Sequence, residues 1–236
     1  MSQEIAYYFE KPEKFPIPGF LDGLRTPADI LRAASVWLDT RAAQNVMKNA
    51  AVIKGEPPHI HGYCEIGENT VIYDDVTIIG PVYIGKNCEI MAGAIIRPYS
   101  IIGDNCSVGH GAELKHAVLY NGAKVASLAF VGDSVLGASA RIGSGVITGN
   151  RKFNQSSVTL KLDDVRHDLD STYFGLILGD SSRLGANAVT QPGTHIGPYT
   201  WIYPMTAVRG FIPRGKRVYH PQELVFEEND IIELKP

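Results

Sequence analysis

Residues 60–114 read IHGYCEIGENTVIYDDVTIIGPVYIGKNCEIMAGAIIRPYSIIGDNCSVGHGAEL, and the spacing of aliphatic side chains in this run decides the fold. Stepping by six from Ile60 meets Ile66, Ile72, Ile78, Ile84, Ile90, Ile96, Ile102, Val108 and Leu114, all branched and apolar. Four places after each stands a small or β-branched residue: Cys64, Thr70, Val76, Val82, Cys88, Ala94, Ser100, Cys106, Ala112 and Val118. A helix repeats its apolar face about every 3.6 residues and a half-buried strand every second residue, so neither accounts for a period of six. A hexapeptide β-helix does. Each unit makes one wall of a triangular coil, with an aliphatic residue pointing inward and a small one near the corner. Gly67, Gly85, Gly103 and Gly109 hold the second place, which suits a turn between walls. Three walls close one coil, and each coil climbs by ~4.8 Å.

The beat returns one residue early at Leu119, continues to Val125 and Val131, and slips again before Leu136 and Ile142. It runs a last time through Leu178, Leu184, Thr190, Ile196, Ile202 and Val208, with Ser182, Ala188, Thr194, Thr200 and Thr206 in the small place. The two slips frame residues 124–133, KVASLAFVGD. Cys64, Cys88 and Cys106 all occupy the small inward place, so they read as packing residues rather than as a redox or metal set. An odd number of cysteines also excludes a complete disulfide framework.

The chain has 236 residues, a net charge of −3 and 44% hydrophobic residues, an ordinary balance for a globular protein with ample core. That charge gives no general attraction to nucleic acid or to an anionic membrane. No apolar run approaches the ~20 residues that span a bilayer. MSQEIAYYFEKPEKF has no basic-then-apolar leader pattern, so a cytoplasmic protein is expected.

Two segments lie outside the beat. Residues 1–50 read as an N-terminal helical cap, with a helix over TPADILRAASVWLDTRAA: Thr26 caps it, Pro27 opens it, and Asp29 adds a favourable charge to its first turn. Ile30, Leu31, Ala34, Trp37 and Leu38 form its apolar stripe, and the expected place for that stripe is the open end of the coil. The coil itself is expected over 51–213, interrupted at 149–177 by a β-hairpin excursion, SSVTLKLDDVRHDLD. The tail, 214–236, carries Val225, Phe226, Ile231 and Ile232, which are expected to pack it back on the body.

IRPYSIIGDNCSVGHGAELKHAVL, KVASLAFVGDSVLG and IGSGVITGN, in that order, resemble the acetyltransferase domain of the bifunctional glucosamine-1-phosphate acetyltransferase/N-acetylglucosamine-1-phosphate uridyltransferases, within the hexapeptide-repeat acyltransferase superfamily. The hairpin followed by FGLILGD resembles the archaeal-type sugar-1-phosphate nucleotidylyltransferases that end in the same domain. The resemblance covers roughly residues 60–212. It implies an all-β, left-handed parallel β-helix, a homotrimer with sites between subunits, acetyl-CoA or another acyl-CoA as co-substrate, and no metal. Residues 1–50 are too short for a nucleotide-binding domain and lack a glycine-rich phosphate loop, so pyrophosphorylase activity is not expected.

The family's site residues transfer by position. Arg97, in IRP, and Lys115, in ELK, match the two cations that hold the sugar's phosphate. Ser127 stands where the family has its catalytic histidine, Phe130 where it has a tyrosine, and Arg141 where it has a substrate-contacting asparagine. An amine attacking a thioester must lose a proton, and a serine hydroxyl needs a base of its own to take it. His110 lies one coil below Ser127 and is the candidate replacement; His116, beside Lys115, is a weaker one. The acyl-CoA groove falls on Ser144, Asn150, Arg151, Ala186 and Pro204, with Arg209, Arg214, Lys216 and Arg217 available for nucleotide phosphates. His59, His61, His110 and His116 do not follow a zinc-ligand spacing.

These residues support an acyl-CoA-dependent transferase acting on a phosphorylated sugar, amino sugar or nucleotide-sugar. The alternatives are a trimer that binds sugar phosphate without turnover, and a scaffold that presents the hairpin to a protein partner.

Overall fold

The computed structural model describes residues 4–44, 48–162, 164–221, 223, 224 and 226. Its body is a parallel β-solenoid of about 9 turns. Wall one runs from Lys48–Asn49 through Cys64–Ile66, Val82–Ile84 and Ser100–Ile102 to Phe211–Ile212. Wall two runs from His59–His61 through Thr77–Ile79 and Ile95–Ile96 to Ala207–Val208. Wall three runs from Val52–Ile53 through Ser107–Val108 and Lys124–Val125 to Arg217–Val218. The aliphatic residues of the six-residue beat stack directly over one another, as in Ile78–Ile96–Leu114–Val131. They form one continuous internal core that includes all three cysteines, each free and buried. Burial pushes the Cys64 thiol up to about 12. Pairing begins at Lys48 and ends at Val218, so the coil extends past 51 and 213 on both sides.

Each slip in the beat has a physical cause. At most corners the chain needs an extra residue to turn from one wall to the next. At the two slips the strands Glu113–Leu119 and Phe130–Leu136 run across the corner without a break. His116 and Asp133 make the whole turn alone, at φ values of 48° and 47°. That left-handed conformation is one an L-residue adopts at a cost. The two stack on adjacent coils, since Lys115 pairs with Gly132 and Ala117 with Ser134.

The helix forms over Asp29–Ala43. Its start is held by Asp29, whose carboxylate accepts from the Thr26 backbone N–H at 2.8 Å and the Thr26 hydroxyl at 3.0 Å. The helix does not close an end of the coil, as its apolar stripe suggested. It lies along the outer surface of wall one, against Glu113–Leu119 and Phe130–Leu136. The reason is a second apolar column, Ile101–Val118–Val135–Ile177, which points outward and would otherwise face water. Tyr8, Phe9, Ile30, Leu31, Ala34 and Leu38 bury it in a second core, to which the hairpin adds Val158, Leu160 and Leu162. At ~1.5–3 kcal/mol for each large apolar side chain, covering this wall stabilises the fold more than covering a single end would. Trp37 packs edge-on against Tyr83 at 5.6 Å, and Arg41 grips Glu65 through two bonds of 2.7 and 2.8 Å.

The hairpin pairs Thr159–Leu162 with Val165–Asp168. In the tail, Phe226 is exposed and does not pack back on the body; Val225, Ile231 and Ile232 lie outside the described residues. No helix among the described residues is long and apolar enough to cross a membrane.

Candidate functional site

The corner between walls three and two carries the column expected to hold the chemistry. Val108 pairs with Val125 and Val125 with Ile142, so two residues further on His110, Ser127 and Ser144 stack on successive coils. The same counting from Ile142, Leu184 and Ile202 adds Ala186 and Pro204. Gly109 permits the close stacking here, because a Cβ built on it would fall 2.4 Å from the Ser127 nitrogen. His110 is exposed and Ser127 half-buried. His110 Nδ1 lies 2.7 Å from the Ala92 carbonyl oxygen. A carbonyl only accepts, so the hydrogen of this contact lies on Nδ1, which in a neutral ring leaves the lone pair on Nε2. Arg141 lies on the strand that leads into this corner, and Phe130 on the one that leaves it.

Arg97 and Lys115 occupy one column at the far edge of wall two, where the Arg97 N–H donates to the Leu114 carbonyl. They therefore share a surface, but neither cation is free. Arg97 donates to Glu113 at 2.8 Å, and Lys115 to Asp133 at 2.8 Å. The Lys115 ammonium also sits 4.0 Å from the centre of the Tyr173 ring. Asp133 is a hub. Its second oxygen lies 3.2 Å from His116 Nδ1, and Asn150 donates to the first at 2.6 Å. Burial opposes ionisation of Asp133, yet the His116, Lys115 and Asn150 contacts together outweigh it and hold the carboxyl below its ordinary value. His116 Nε2 continues to the Leu31 carbonyl and the Ser35 hydroxyl, both at 3.1 Å, which ties the long helix to the same hub. Asp133 is nearly enclosed, with a side-chain exposure of 5%, whereas Lys115 keeps 23% of its side chain exposed.

The expected acyl-CoA set is consequently divided. Ser144, Ala186 and Pro204 share the His110 corner. Asn150 belongs to the Asp133 hub, and Arg151 bonds Gln155 at 2.8 Å and packs on Tyr173. Phe130 turns toward the hub as well, since a Cβ at Gly132 would meet its ring at 2.7 Å and the Asn150 amide at 2.6 Å. From Ser127 to Gly132, at ~3.3 Å per residue, the two clusters lie on the order of 15 Å apart. Among the expected phosphate cations, Arg214 is paired with Glu10 at 2.8 Å and Arg217 lies over Trp201, while Arg209 and Lys216 are exposed. His59 and His61 are exposed on the first coils, and no group that could hold a metal occurs among the described residues.

Glu113, Asp133, Tyr173, Arg183 and Trp201 had no place in the sequence reading. Glu113 and Asp133 were visible within the matched motifs, and counting coils through the slip would have set Asp133 beside His116. Tyr173 comes from the excursion, whose path no repeat dictates.

A coil of six-residue walls defines the class: the chain belongs to the hexapeptide-repeat acyltransferase superfamily, whose fold is the left-handed parallel β-helix. The model of the GMPPB C-terminal domain matches residues 78–165. An uncharacterized acetyltransferase, YaiX, of Escherichia coli O6:K15:H31 is 34% identical over 154 residues, which cover 65% of this chain and 67% of that protein. The bifunctional protein GlmU of Methanocaldococcus jannaschii is 28% identical over 221 residues, 93% of this chain and 52% of that protein. The bifunctional sugar-1-phosphate nucleotidylyltransferase/acetyltransferase of Sulfurisphaera tokodaii is 33% identical over 163 residues, 61% of this chain and 41% of that protein. The chain thus spans about half the length, or less, of these two bifunctional relatives.

Proposed function

We propose that the chain transfers an acyl group, acetyl in the simplest case, from acyl-CoA to an amino or hydroxyl group of a phosphorylated sugar, amino sugar or nucleotide-sugar. The observation that carries this reading is the His110 tautomer set by the Ala92 carbonyl. In the neutral ring Nε2 carries the lone pair a general base requires, and Ser127 stands on the next coil with a hydroxyl to orient the acceptor. Nε2 takes the proton as the acceptor nitrogen or oxygen attacks the thioester carbon. A new C–N or C–O bond forms, the C–S bond breaks, and the proton passes to the departing thiolate. The small residues Ser144 and Ala186 leave room along the corner for a slender pantetheine arm. The names of two relatives, an uncharacterized acetyltransferase and a bifunctional sugar-1-phosphate nucleotidylyltransferase/acetyltransferase, support the same class of reaction.

In this reading the working unit is a homotrimer. Ile95, Leu128, Ile147, Val189 and Met205, exposed by 38%, 65%, 42%, 42% and 62%, line wall two and the His110 corner, which is the kind of apolar surface a second copy covers. Such an arrangement sets the Arg97–Lys115 edge of one copy toward the His110 edge of the next. Sedimentation showing a monomer at micromolar concentration removes that part of the proposal.

Release of CoA thiol from acetyl-CoA in the presence of hexosamine phosphates and nucleotide-sugars tests the reaction. His110→Asn is expected to lower kcat by about a hundredfold or more, and Ser127→Ala by less. Equal rates for His110→Asn and the parent chain overturn the assignment of the base. Sugar phosphates that raise the melting temperature, with no thiol release from any common acyl-CoA, establish the non-catalytic binding trimer instead.

A further inference from the structure

We propose that Ser35, His116 and Asp133 form a second catalytic centre, one that hydrolyses small uncharged or cationic esters. It is separate from the His110 corner and does not rest on the acyl-transfer reading. Ser35 Oγ lies 3.1 Å from His116 Nε2, and His116 Nδ1 lies 3.2 Å from Asp133 Oδ1. Nucleophile, base and orienting carboxylate thus stand within reach of one another in the order that activates a serine, an arrangement known by its geometry rather than by sequence position. The other oxygen of Asp133 accepts from Lys115 and Asn150, which fixes the carboxylate with Oδ1 toward the ring. Despite its burial, contacts with His116, Lys115 and Asn150 hold the Asp133 carboxyl below its ordinary value, so it is an anion that only accepts. Nδ1 therefore carries the hydrogen of that contact, which in a neutral ring leaves the Nε2 lone pair to the Ser35 hydroxyl. The Leu31 carbonyl competes, 3.3 Å from Ser35 Oγ and 3.1 Å from Nε2. The hydroxyl has one hydrogen, and the nearer of its two acceptors is Nε2.

All three residues line one cleft of about 630 Å³ between the helix Asp29–Ala43 and the excursion, the size of a small-molecule site. Ser35 is half-buried and 26% of the His116 side chain is exposed, so a ligand can reach both. His116 and Asp133 make their turns at φ values of 48° and 47°, and backbone strain of this kind gathers at functional sites. Leu169, Tyr173 and Phe174 give the cleft apolar surface, while Asp39, Asp168 and Asp170 give it negative charge. A sugar phosphate or an acyl-CoA is repelled by those carboxylates; an uncharged or cationic ester is not. Arg32 stands one turn before Ser35 on the helix, lines the same cleft and supplies a cation for the developing oxyanion. Ser35 Oγ attacks the ester carbonyl carbon as its proton passes to Nε2. A C–O bond to Ser35 forms, the C–O bond to the alcohol breaks, and Nε2 gives the proton to the departing oxygen. Water then attacks the acyl-serine and loses a proton to Nε2, which returns it to Ser35 Oγ as the acid leaves.

Two measurements on the intact chain test the proposal: hydrolysis of p-nitrophenyl acetate, and covalent labelling by a fluorophosphonate, which reacts with an activated serine hydroxyl. Peptide mapping is expected to place the label on Ser35. Ser35→Ala, which suits the helix as well as serine does, should abolish the label and reduce hydrolysis to the buffer rate. His116→Asn, a residue that tolerates the left-handed backbone, should lower kcat about a hundredfold or more. Asp133 acts through His116 as a positioning residue, so Asp133→Asn should lower kcat with KM unchanged, a split that lost packing alone does not give. Ser156→Ala, an exposed serine of the excursion, should change nothing. The anionic ester mono-p-nitrophenyl succinate should be the poorer substrate, and a preference for it overturns the substrate class. A label absent from Ser35, hydrolysis equal in Ser35→Ala, or a His116→Asn chain that loses only melting temperature overturns the centre and leaves the three residues a structural link. Ester hydrolysis needs no sugar acceptor, whereas thiol release at the His110 corner does, so either activity can fail alone.

Discussion

Walls two and three both carry cations on their outer surfaces, but the two sets differ in what surrounds them. Arg97 and Lys115 on wall two stand against Glu113 and Asp133, and Lys115 is further enclosed by Tyr173 and its neighbour Asn150. Arg141, Arg183 and Arg217 on wall three have no carboxylate partner among the described residues and stand beside Lys124 and the Trp201 indole. The first set is joined to the scaffold: through Asp133 it links two coils, the excursion and the long helix. The second carries no ion pair among the described residues. A cation's place in a motif does not show which carboxylate stands beside it; the stacking of coils sets that.

Substitutions on either wall can break or sharpen this contrast. The largest effect is expected at the hub. Asp133→Asn leaves Lys115 and His116 without their anion and should lower unfolding free energy by about 2–3 kcal/mol in urea titration. Because the native carboxyl is held below its ordinary value, the unfolded chain takes up the proton first as pH falls. The contribution of Asp133 is therefore complete above the usual carboxylate range, near pH ~4, and is lost as pH drops through the lowered native value. Stability curves of parent and variant should converge below that pH; a gap that persists at low pH rules out the ionic account. A smaller loss is expected for Arg97→Gln, within about 0.5 kcal/mol, since both partners of the Arg97–Glu113 pair are well exposed. Arg183→Gln should shift stability the other way. It relieves repulsion from Arg141 and should gain a few tenths of a kcal/mol at low salt, a gain that vanishes near ~1 M, where screening acts over ~3 Å. A loss of stability in Arg183→Gln would show that wall three's cations are structural too.

The coil was legible because its rule is local. Ile60 to Leu114 spells inward and corner positions unit by unit, and the structure places Ile78, Ile96, Leu114 and Val131 in one ladder as that spacing requires. The His110–Ser127–Ser144 column was legible for the same reason, since counting units fixes which residues stack. The position of the helix was missed, although its signal was present. Ile101, Val118, Val135 and Ile177 each precede an inward aliphatic residue and so point outward, where an apolar column needs a cover. The ion pair of Lys115 was not read from the sequence, because its partner Asp133 is on the next coil.

From the order of residues alone came a three-walled coil, its internal core and the corner where chemistry is expected. Periodicity within a strand is enough to set which side chains face in. Which outward-facing charges are neutralised was settled only by tertiary structure, because a salt link such as Lys115–Asp133 joins residues a full coil apart and depends on the side chains that bury it. The same holds for the helix on wall one: sequence made it amphipathic, and the apolar column beneath it determined where it docked.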